Sequence, residues 1–492
     1  MASTPASRHL SREKLAGWVP HFADLEKHSP SFNTLTATVQ TLRDALSHGH
    51  LRSTQLVEEY QRSICLHNEW LGAVYQLSPG AIDRACEMDP LRQEGKILGP
   101  MHGIPILVKG NIATSEALGL ETNAGAVALT GSKPNEAPII GRLLERGAIV
   151  IGTTTLSELG YHKGTGIRCG WSAAAGQARS AYVRGGLDWD DSVGGHSVMI
   201  MVIHRKVIWL NIWQNPLGSS SGSCIAVSAG LAPIALGIET IGSLITPSVR
   251  DSLFTIKPTH GLVNPANIVP VTVRYDTAGP IGKTTKDIAD LMDVLVDHVE
   301  THVLEGGYAS AMVSDWTDIR VGTLDPEIWR LSDALVKPVP EATKQILDDT
   351  RSAYIKIKGL AKNYHDNVPL PPLSAFEYEG KNSAQSLMTA DLKENMDSYL
   401  GSLKEGKVKS LQELVQWNSA HKEEALTTEY PNQELLARGL SFSDSTGTRE
   451  KLVAHNDKVA SKFNEIMTTY ELDVIIAPGD CMLSEYAAAG DQ

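Results

Sequence analysis

Apolar residues recur at helical spacing near the start of the chain, and a short apolar run follows. Residues 34–68 predict two amphipathic helices, with Ser53 as the N-cap of the second. The run Ile104–Val108 predicts a short buried strand that ends at Lys109. Strands that alternate with helices indicate an α/β architecture.

The same alternation continues through the rest of the chain, and we see no internal repeat. The pattern predicts a helix at 136–147 ended by Gly147, a strand at Ala148–Gly152, a close-packing helix at 220–230, a strand at Ile234–Gly237, a helix at 285–297, a mostly helical stretch at 325–470 with a break at Pro369–Pro372, and a strand at Val474–Ala477.

Residues 198–214 look wrong for a folded domain. Most of them are apolar, and the run is close to the shortest length that spans a membrane, but His204, Arg205 and Lys206 interrupt it. A buried pair of strands is one interpretation and a membrane anchor is another.

Composition narrows the class of protein. Of the 492 residues, 42% are hydrophobic and 21% are charged, which is typical of a soluble globular protein, and the net charge is -13. An acidic chain is a poor partner for nucleic acid or for an anionic membrane surface. The N-terminus has no apolar signal segment, so a cytoplasmic location is the default expectation.

Cysteine and histidine usage argues against disulfides and metal. The five cysteines form no CxxC pair, which favours free thiols in a reducing compartment. The sixteen histidines include no HExxH motif or paired ligand spacing. We therefore expect no metal site.

Two serine-bearing segments and one lysine carry the candidate chemistry. The segments are Asn-Pro-Leu-Gly-Ser-Ser-Ser-Gly-Ser at 215–223 and Glu-Thr-Ile-Gly-Ser-Leu-Ile-Thr-Pro at 239–247. A serine hydroxyl needs a neighbouring base to act as a nucleophile, and a lysine can be that base only if it is neutral. A neutral lysine here requires surroundings that lower its pKa from about 10.4 towards about 7–8, and Lys109 has such surroundings at the end of an apolar strand.

Each feature also has an ordinary structural interpretation. A Ser/Gly run is more often a flexible linker, a lysine after a strand is more often solvated, and Ser243 alone is an ordinary turn serine. The Gly/Ser loop precedes a predicted helix, and the Thr240–Ser243 turn offers consecutive backbone N–H groups, as an oxyanion hole requires. The functional interpretation rests on all three features occurring together in one chain.

At these residues the chain resembles the amidase signature family, and most closely its fungal branch. The resemblance extends over about 34–488 and is strongest at 97–166 and 215–263, where Gly218 to Ser223, Gly242-Ser243 and Lys257-Pro258-Thr259 match the signature. It implies one domain with a large mixed β-sheet flanked by helices, after an N-terminal extension at 1–33. It also implies hydrolysis of a small carboxamide without a cofactor. A homodimer is compatible with the sequence.

The resemblance also implies a role for each matching residue. Lys109 matches the base, Ser219 the relay serine that follows a cis peptide bond, and Ser243 the nucleophile 24 residues later. The backbone amides of Thr240, Ile241, Gly242 and Ser243 match the oxyanion hole, and Ser220 belongs to the same substrate-binding group.

The sequence departs from the family pattern in four places. Gly110 stands where aspartate usually follows the lysine, and Ile241 stands where glycine or aspartate is usual. Residues 198–214 interrupt a region that is nearly continuous in relatives, and further strands usually follow Ala487–Ala489. Because Val198 can be encoded by a codon that begins with GT and Gln214 by CAG, and the seventeen codons keep the frame, we hypothesise a translated, unspliced intron and an imperfect gene model.

Three other functions stay open on the sequence alone. An amidotransferase subunit would pass ammonia to a partner, although Ile245 stands where such a subunit would have an arginine. An inactive or truncated amidase relative would retain the fold without turnover. A protein anchored in a membrane by 198–214 is the third alternative.

Overall fold

The computed structural model describes residues 31–182, 202–203, 206–207, 217–297, 305–331, 339–479, 481 and 483–490. The N-terminal extension up to residue 30 and most of the 198–214 segment lie outside the described residues. Two pairs of residues within that segment are described, and they form an antiparallel pair of short strands, Val202–Ile203 with Lys206–Val207.

Helices contain more of the described residues than strands do. They are α1 (Val39–Ser47), α2 (Ser53–Leu71), α3 (Ala81–Gln93), α4 (Pro138–Glu145), α5 (Ser221–Ser228), α6 (Ile245–Arg250), α7 (Thr285–Leu295), α8 (Pro340–Leu360), α9 (Ser383–Ser402), α10 (Leu411–Ala420), α11 (Lys422–Ala425), α12 (Glu434–Ser441), α13 (Thr448–Thr469) and α14 (Ser484–Ala489). Short 3₁₀ turns lie at Glu116–Leu118, Val127–Leu129, Glu158–Tyr161, Tyr308–Ala311 and Leu373–Phe376.

The strands belong to one large sheet, one three-stranded sheet and several short pairs. They are β1 (Val74–Leu77), β2 (Pro105–Lys109), β3 (Ile149–Thr154), β4 (Trp171–Ser172), β5 (Gly176–Gln177), β6 (Val202–Ile203), β7 (Lys206–Val207), β8 (Ile234–Glu239), β9 (Phe254–Thr255), β10 (Thr277–Gly282), β11 (Arg320–Thr323), β12 (Asn363–His365), β13 (Glu377–Tyr378), β14 (Lys381–Asn382) and β15 (Val474–Ile476).

The large sheet confirms the predicted mixed α/β core. Its order is β1-β3-β2-β8-β10-β9, with β3, β2 and β8 parallel to one another and the outer pairings antiparallel. Every residue of β2, β3 and β8 is buried, as expected for central strands covered on both faces by helices. Because β2 and β8 run in the same direction, their last residues, Lys109 and Glu239, lie at the same edge of the sheet.

Predicted elements and observed elements agree in type, and their ends differ by a few residues. Ser53 is the first residue of α2, whose N-cap is Arg52. Helix α4 ends at Glu145, and Gly147 turns the chain just beyond it with φ +80°. The helix predicted at 220–230 is α5, and it packs closely because a Cβ on Gly222 would lie 2.4 Å from the carbonyl oxygen of Thr155.

Candidate active site

Lys109 lies at the end of β2 with its whole side chain buried. Its Nζ is 2.7 Å from Ser219 Oγ, 3.0 Å from Ser220 Oγ and 3.1 Å from the carbonyl oxygen of Ile238. The side chain is 0% exposed. All three hydrogen-bond partners are uncharged, so the ammonium form gains no carboxylate contact to offset its loss of water.

Burial lowers the pKa of Lys109 from 10.5 to about 7. Asp276, Cys224 and Glu239 act in the opposite direction at longer range, and they do not overcome the loss of solvation. A substantial fraction of the amine is therefore neutral near pH 7, which is the state that a general base requires.

Ser219 lies in a tight turn at the start of α5. Leu217 and Gly218 both have positive φ, +42° and +72°, and a Cβ on Gly218 would lie 2.5 Å from Cδ of Pro247. Glycine is therefore needed for both conformation and space. Ser157 holds the turn by donating its N–H to the Ser219 carbonyl oxygen at 3.2 Å and its hydroxyl to the Gly218 carbonyl oxygen at 3.3 Å.

The peptide bond expected to be cis is trans. The described chain contains no cis peptide bond, so the expectation for Gly218–Ser219 is wrong for this structure. The left-handed conformations of Leu217 and Gly218 direct the chain into α5. They bring the Ser219 hydroxyl to Lys109 without a cis peptide bond.

Ser243 contacts the Gly/Ser turn, although it lies 24 residues after Ser219 in the sequence. The backbone N–H of Ser219 donates to Ser243 Oγ at 3.2 Å, and the N–H of Ser220 donates to the Ser243 carbonyl oxygen at 3.3 Å. The Ser219 and Ser243 hydroxyls, both in the described part of the chain, share no hydrogen bond. The structure thus brings together Lys109, Ser219, Ser220 and Ser243.

The turn at 240–243 presents free backbone donors. Within the described chain the N–H groups of Ile241, Gly242 and Ser243 have no acceptor. The next two N–H groups, of Leu244 and Ile245, donate to Glu239 Oε2 at 2.7 and 3.0 Å. Glu239 therefore holds the start of α6, and Gly242, just before it, adopts a left-handed conformation with φ +80°.

Asp276 fixes the other side of this turn. It accepts a hydrogen bond from the Thr240 hydroxyl and, through Oδ2, from the N–H groups of Val271 and Thr272 at 2.8 and 3.0 Å. Burial raises the pKa of Asp276 to about 6. The sequence analysis missed Asp276 and Glu239. An acidic residue shortly before a helix is a capping signal that could have identified Glu239, whereas Asp276 carries no local signal.

Ile241 occupies the turn without disrupting it. Its half-buried side chain packs against an apolar cluster of Val271, Tyr275, Ala384, Leu387, Met388, Leu452 and Ala488. Members of this cluster come from α9, α13 and α14, so the helical part of the chain forms an apolar wall next to the turn.

Comparison with known proteins shows the family to which the chain belongs. The family model described as amidase matches residues 55–170 and 210–483, more than half of the chain. The chain therefore belongs to the amidase family. Its match to that model is interrupted between 170 and 210, a stretch that includes much of the 198–214 segment.

Curated relatives carry the same description. A protein of Arabidopsis thaliana named a probable amidase is 28% identical over 477 residues, which cover 94% of this chain and 83% of the relative. A protein named as an amidase in Schizosaccharomyces pombe is 29% identical over 406 residues, which cover 78% of this chain and 63% of the relative.

A solved structure shows the same fold, and a second class of relative is also similar. The native peptide amidase of Stenotrophomonas maltophilia superposes with a TM-score of 0.73 and 26% identity, covering 92% of this chain and 88% of that one. A glutamyl-tRNA(Gln) amidotransferase subunit of Chloroflexus aurantiacus is 29% identical over 292 residues, 58% of this chain and 53% of the relative.

The described residues also bear on membranes and metals. None of the helices in the described ranges is long and apolar enough to cross a bilayer. No group of three or more histidine, cysteine, aspartate or glutamate side chains in those ranges is placed to hold a metal ion. None of the five cysteines, which all lie in the described ranges, forms a disulfide.

Proposed function

We propose that this amidase hydrolyses the C–N bond of a linear carboxamide through an acyl-enzyme. Ser243 is the nucleophile, Ser219 relays the proton and Lys109 is the base; the products are a carboxylic acid and ammonia or an amine. The observation that carries the proposal is the buried Lys109 amine, whose pKa is lowered to about 7 and whose Nζ lies 2.7 Å from Ser219 Oγ. The similarity to a peptide amidase supports a carboxamide as substrate.

The hydrogen-bond pattern indicates which hydroxyl gives its proton to Lys109. Ser220 Oγ donates to the Ile238 carbonyl oxygen at 3.0 Å and accepts the Ile238 N–H at 3.2 Å. The hydroxyl proton of Ser220 is therefore already donated to the Ile238 carbonyl oxygen, and Ser220 can only accept a hydrogen bond from Lys109. The Ile238 carbonyl is an acceptor too. By elimination, the lone pair of the neutral amine faces the Ser219 hydroxyl.

The remaining proton transfer links Ser219 to Ser243. The two residues already contact through the Ser219 N–H and Ser243 Oγ at 3.2 Å. Catalytic hydrogen bonds of a free enzyme often tighten only when the substrate binds. We propose that the Ser219 hydroxyl then accepts the Ser243 proton as Ser243 attacks, and later returns it to the leaving nitrogen.

The tetrahedral intermediate needs donors for its oxyanion. We propose that the backbone amides of Thr240, Ile241, Gly242 and Ser243 supply them, with Glu239 and Asp276 holding the turn from either side. One such donor is typically worth about 3–4 kcal/mol in the transition state. Because these donors are backbone groups, the Ile241 side chain affects the acyl site by its bulk and leaves the donor set intact.

Labelling and turnover test the proposal together. A fluorophosphonate probe should label Ser243 in the native protein, as located by mass spectrometry, and a panel of linear carboxamides should be hydrolysed. Both Ser243→Ala and Lys109→Ala should abolish turnover, whereas Ser461→Ala, on an exposed position of α13, should retain it. Full turnover in either active-site variant would contradict the mechanism.

An amidotransferase component is the second candidate, because the chain is similar to a glutamyl-tRNA(Gln) amidotransferase subunit over 292 residues. It predicts that turnover depends on glutamine and on a partner protein. Hydrolysis of simple carboxamides by the isolated chain would exclude that requirement. Absence of Ser243 labelling together with absence of all turnover would favour an inactive relative.

We also propose that residues 34–488 form one amidase domain and that 198–214 is a retained intron. The gap in the family match between 170 and 210 supports an interruption in this region. Sequencing the full-length transcript across Ser197–Asn215 tests this directly. A transcript that joins Ser197 to Asn215 would support the intron, and one that encodes all seventeen residues would exclude it.

A further inference from the structure

Ser484 is a buried hydroxyl beside the oxyanion turn that the proposed mechanism does not use. Its side chain is 8% exposed, and its Oγ has no hydrogen-bond partner in the described part of the chain. A Cβ built on Gly242 would lie 3.4 Å from that oxygen. Since leaving a buried hydroxyl unpaired costs about 1–3 kcal/mol, such a group calls for a partner.

The contacts around Ser484 fix its position. It is the first residue of α14, which is held on both sides: Tyr486 donates to the Pro371 carbonyl oxygen at 2.7 Å, and Asn382 Nδ2 donates to Glu485 Oε2 at 3.2 Å. Tyr486 also packs on Phe376 with ring centroids 4.9 Å apart. Helix α14 is therefore anchored, and its first hydroxyl is presented to the Gly242 turn in a fixed place.

A carboxamide that is bound for attack by Ser243 has hydrogen-bonding needs on both its atoms. Its carbonyl oxygen would be served by the backbone N–H groups of the turn. Its nitrogen carries N–H donors that lose water when the site closes, and they need an acceptor. The Ser484 hydroxyl has both lone pairs unused and lies beside the turn, so its chemistry complements the nitrogen.

We propose that Ser484 Oγ accepts a hydrogen bond from the leaving N–H of the substrate carboxamide and so selects amides over esters. This inference rests on the proposed amide hydrolysis at Ser243. No covalent step is assigned to Ser484. Its contact orients the leaving nitrogen while Ser243 attacks, and an ester of the same acid has no N–H with which to make it.

The experiment compares two substrates that form the same acyl-enzyme, a primary carboxamide and the methyl ester of the same acid. Ser484→Ala should lower kcat/KM for the amide about tenfold, the value of one hydrogen bond of about 1.4 kcal/mol, and leave that for the ester within twofold. Ser484→Thr, which keeps the hydroxyl, should retain the wild-type ratio. Ser461→Ala is the matched control outside the site.

Fluorophosphonate labelling separates a damaged fold from a lost contact. The probe needs Ser243, Ser219 and Lys109 but no leaving N–H, so its labelling rate should be unchanged in Ser484→Ala. If Ser484→Ala folds poorly, the near-isosteric Ser484→Cys replaces it and should show the same loss for the amide. Equal losses for amide and ester, or no loss for either, would overturn the proposal.

The outcomes distinguish this inference from the function on which it rests. If the wild-type chain hydrolyses the amide and the amide-to-ester ratio of kcat/KM is unchanged in the Ser484 variants, only the proposed role of Ser484 is refuted. Failure of the wild-type chain to hydrolyse either substrate or to label at Ser243 refutes the proposed function, and the role of Ser484 with it.

Discussion

Two fully buried lysines have opposite surroundings. Lys109 is 0% exposed, and its hydrogen bonds to described residues all go to hydroxyl and carbonyl oxygens. Lys163 is 1% exposed, forms an ion pair of 3.0 Å with Glu158 and lies 5.2 Å from the centroid of the Trp171 ring. Equal burial therefore does not mean equal chemistry.

The difference concerns what allows a buried lysine to lose its proton near pH 7. Lys163 has a carboxylate that compensates its charge, and Glu158 is in turn fixed by the Ala173 N–H at 2.8 Å. Lys109 forms no ion pair with a carboxylate of the described residues, so burial lowers its pKa to about 7 and the neutral amine becomes accessible. We infer that Lys163 stabilises the folded protein. Lys109 destabilises it, but its neutral amine can react.

The largest expected effect is that of Lys109→Met. Removing the proposed base should lower kcat/KM at least about 10³-fold. The free energy of unfolding should rise. In the wild type, the lowering of the Lys109 pKa from 10.5 to about 7 corresponds to a cost of up to about 5 kcal/mol, which the variant avoids. The variant also loses three hydrogen bonds, which offsets about 3 kcal/mol of this gain. Turnover and urea unfolding measure both effects, and a variant destabilised by more than about 2 kcal/mol would contradict this account.

The sign of the pH dependence follows from the same shift. The unfolded lysine holds its proton up to about pH 10.5 and the folded one only up to about 7. Between these values the unfolded state binds more protons, so stability rises with pH there. The cost is complete at and below pH 7, and Lys109→Met should remove this rise.

Lys163→Met should have the opposite effect on stability. It leaves the Glu158 carboxylate buried without its cation, which costs about 3–5 kcal/mol. The double variant Lys163→Met/Glu158→Gln should recover most of this loss, because glutamine can still accept the Ala173 N–H. Turnover per folded molecule should stay within a few-fold of wild type; destabilisation in the double variant equal to that in the single one would refute the ion-pair explanation.

Asp251 extends the comparison to a buried acid. It is 1% exposed, its Oδ2 has no hydrogen-bond partner in the described structure, and burial raises its pKa to about 8. The folded state holds an extra proton between about pH 4 and 8, so stability falls as pH rises through this range. Asp251→Asn should stabilise by up to about 5 kcal/mol at pH 8 and change little at pH 4, because the pKa shift of about four units is expressed only at the higher pH.

The control for this measurement is Asp318→Asn, because Asp318 is exposed. Thermal unfolding at pH 4 and pH 8 should show no pH-dependent difference between this variant and wild type. A gain in Asp251→Asn that is equal at both pH values would show that titration of the carboxyl is not its cause.

The smallest effect is the pH dependence of turnover in the native protein. With a base whose pKa is about 7, kcat/KM should fall about tenfold for each pH unit below 7, as the amine becomes protonated. The double variant Lys163→Met/Glu158→Gln should keep the same acidic limb, because this limb belongs to Lys109. A rate that is flat from pH 5 to 8 would exclude Lys109 as the base.

The local parts of the site could be predicted from the sequence. The apolar run before Lys109, the small residues around Ser219 and the turn at Ser243 each carry their signal within about ten residues. Periodicity and turn residues are local properties, so strand β2, helix α5 and strand β8 were expected with small errors at their ends.

The sequence by itself therefore determined the α/β class, the elements and the residues that could react. Only the tertiary structure decided that the hydrogen bonds of Lys109 within the described chain go to uncharged oxygens, that Gly218–Ser219 is trans, and that Asp276 and Ser484 lie at the Thr240–Ser243 turn. These properties depend on burial and on contacts between residues far apart in the chain, because a side chain's solvation is set by whatever the fold packs around it.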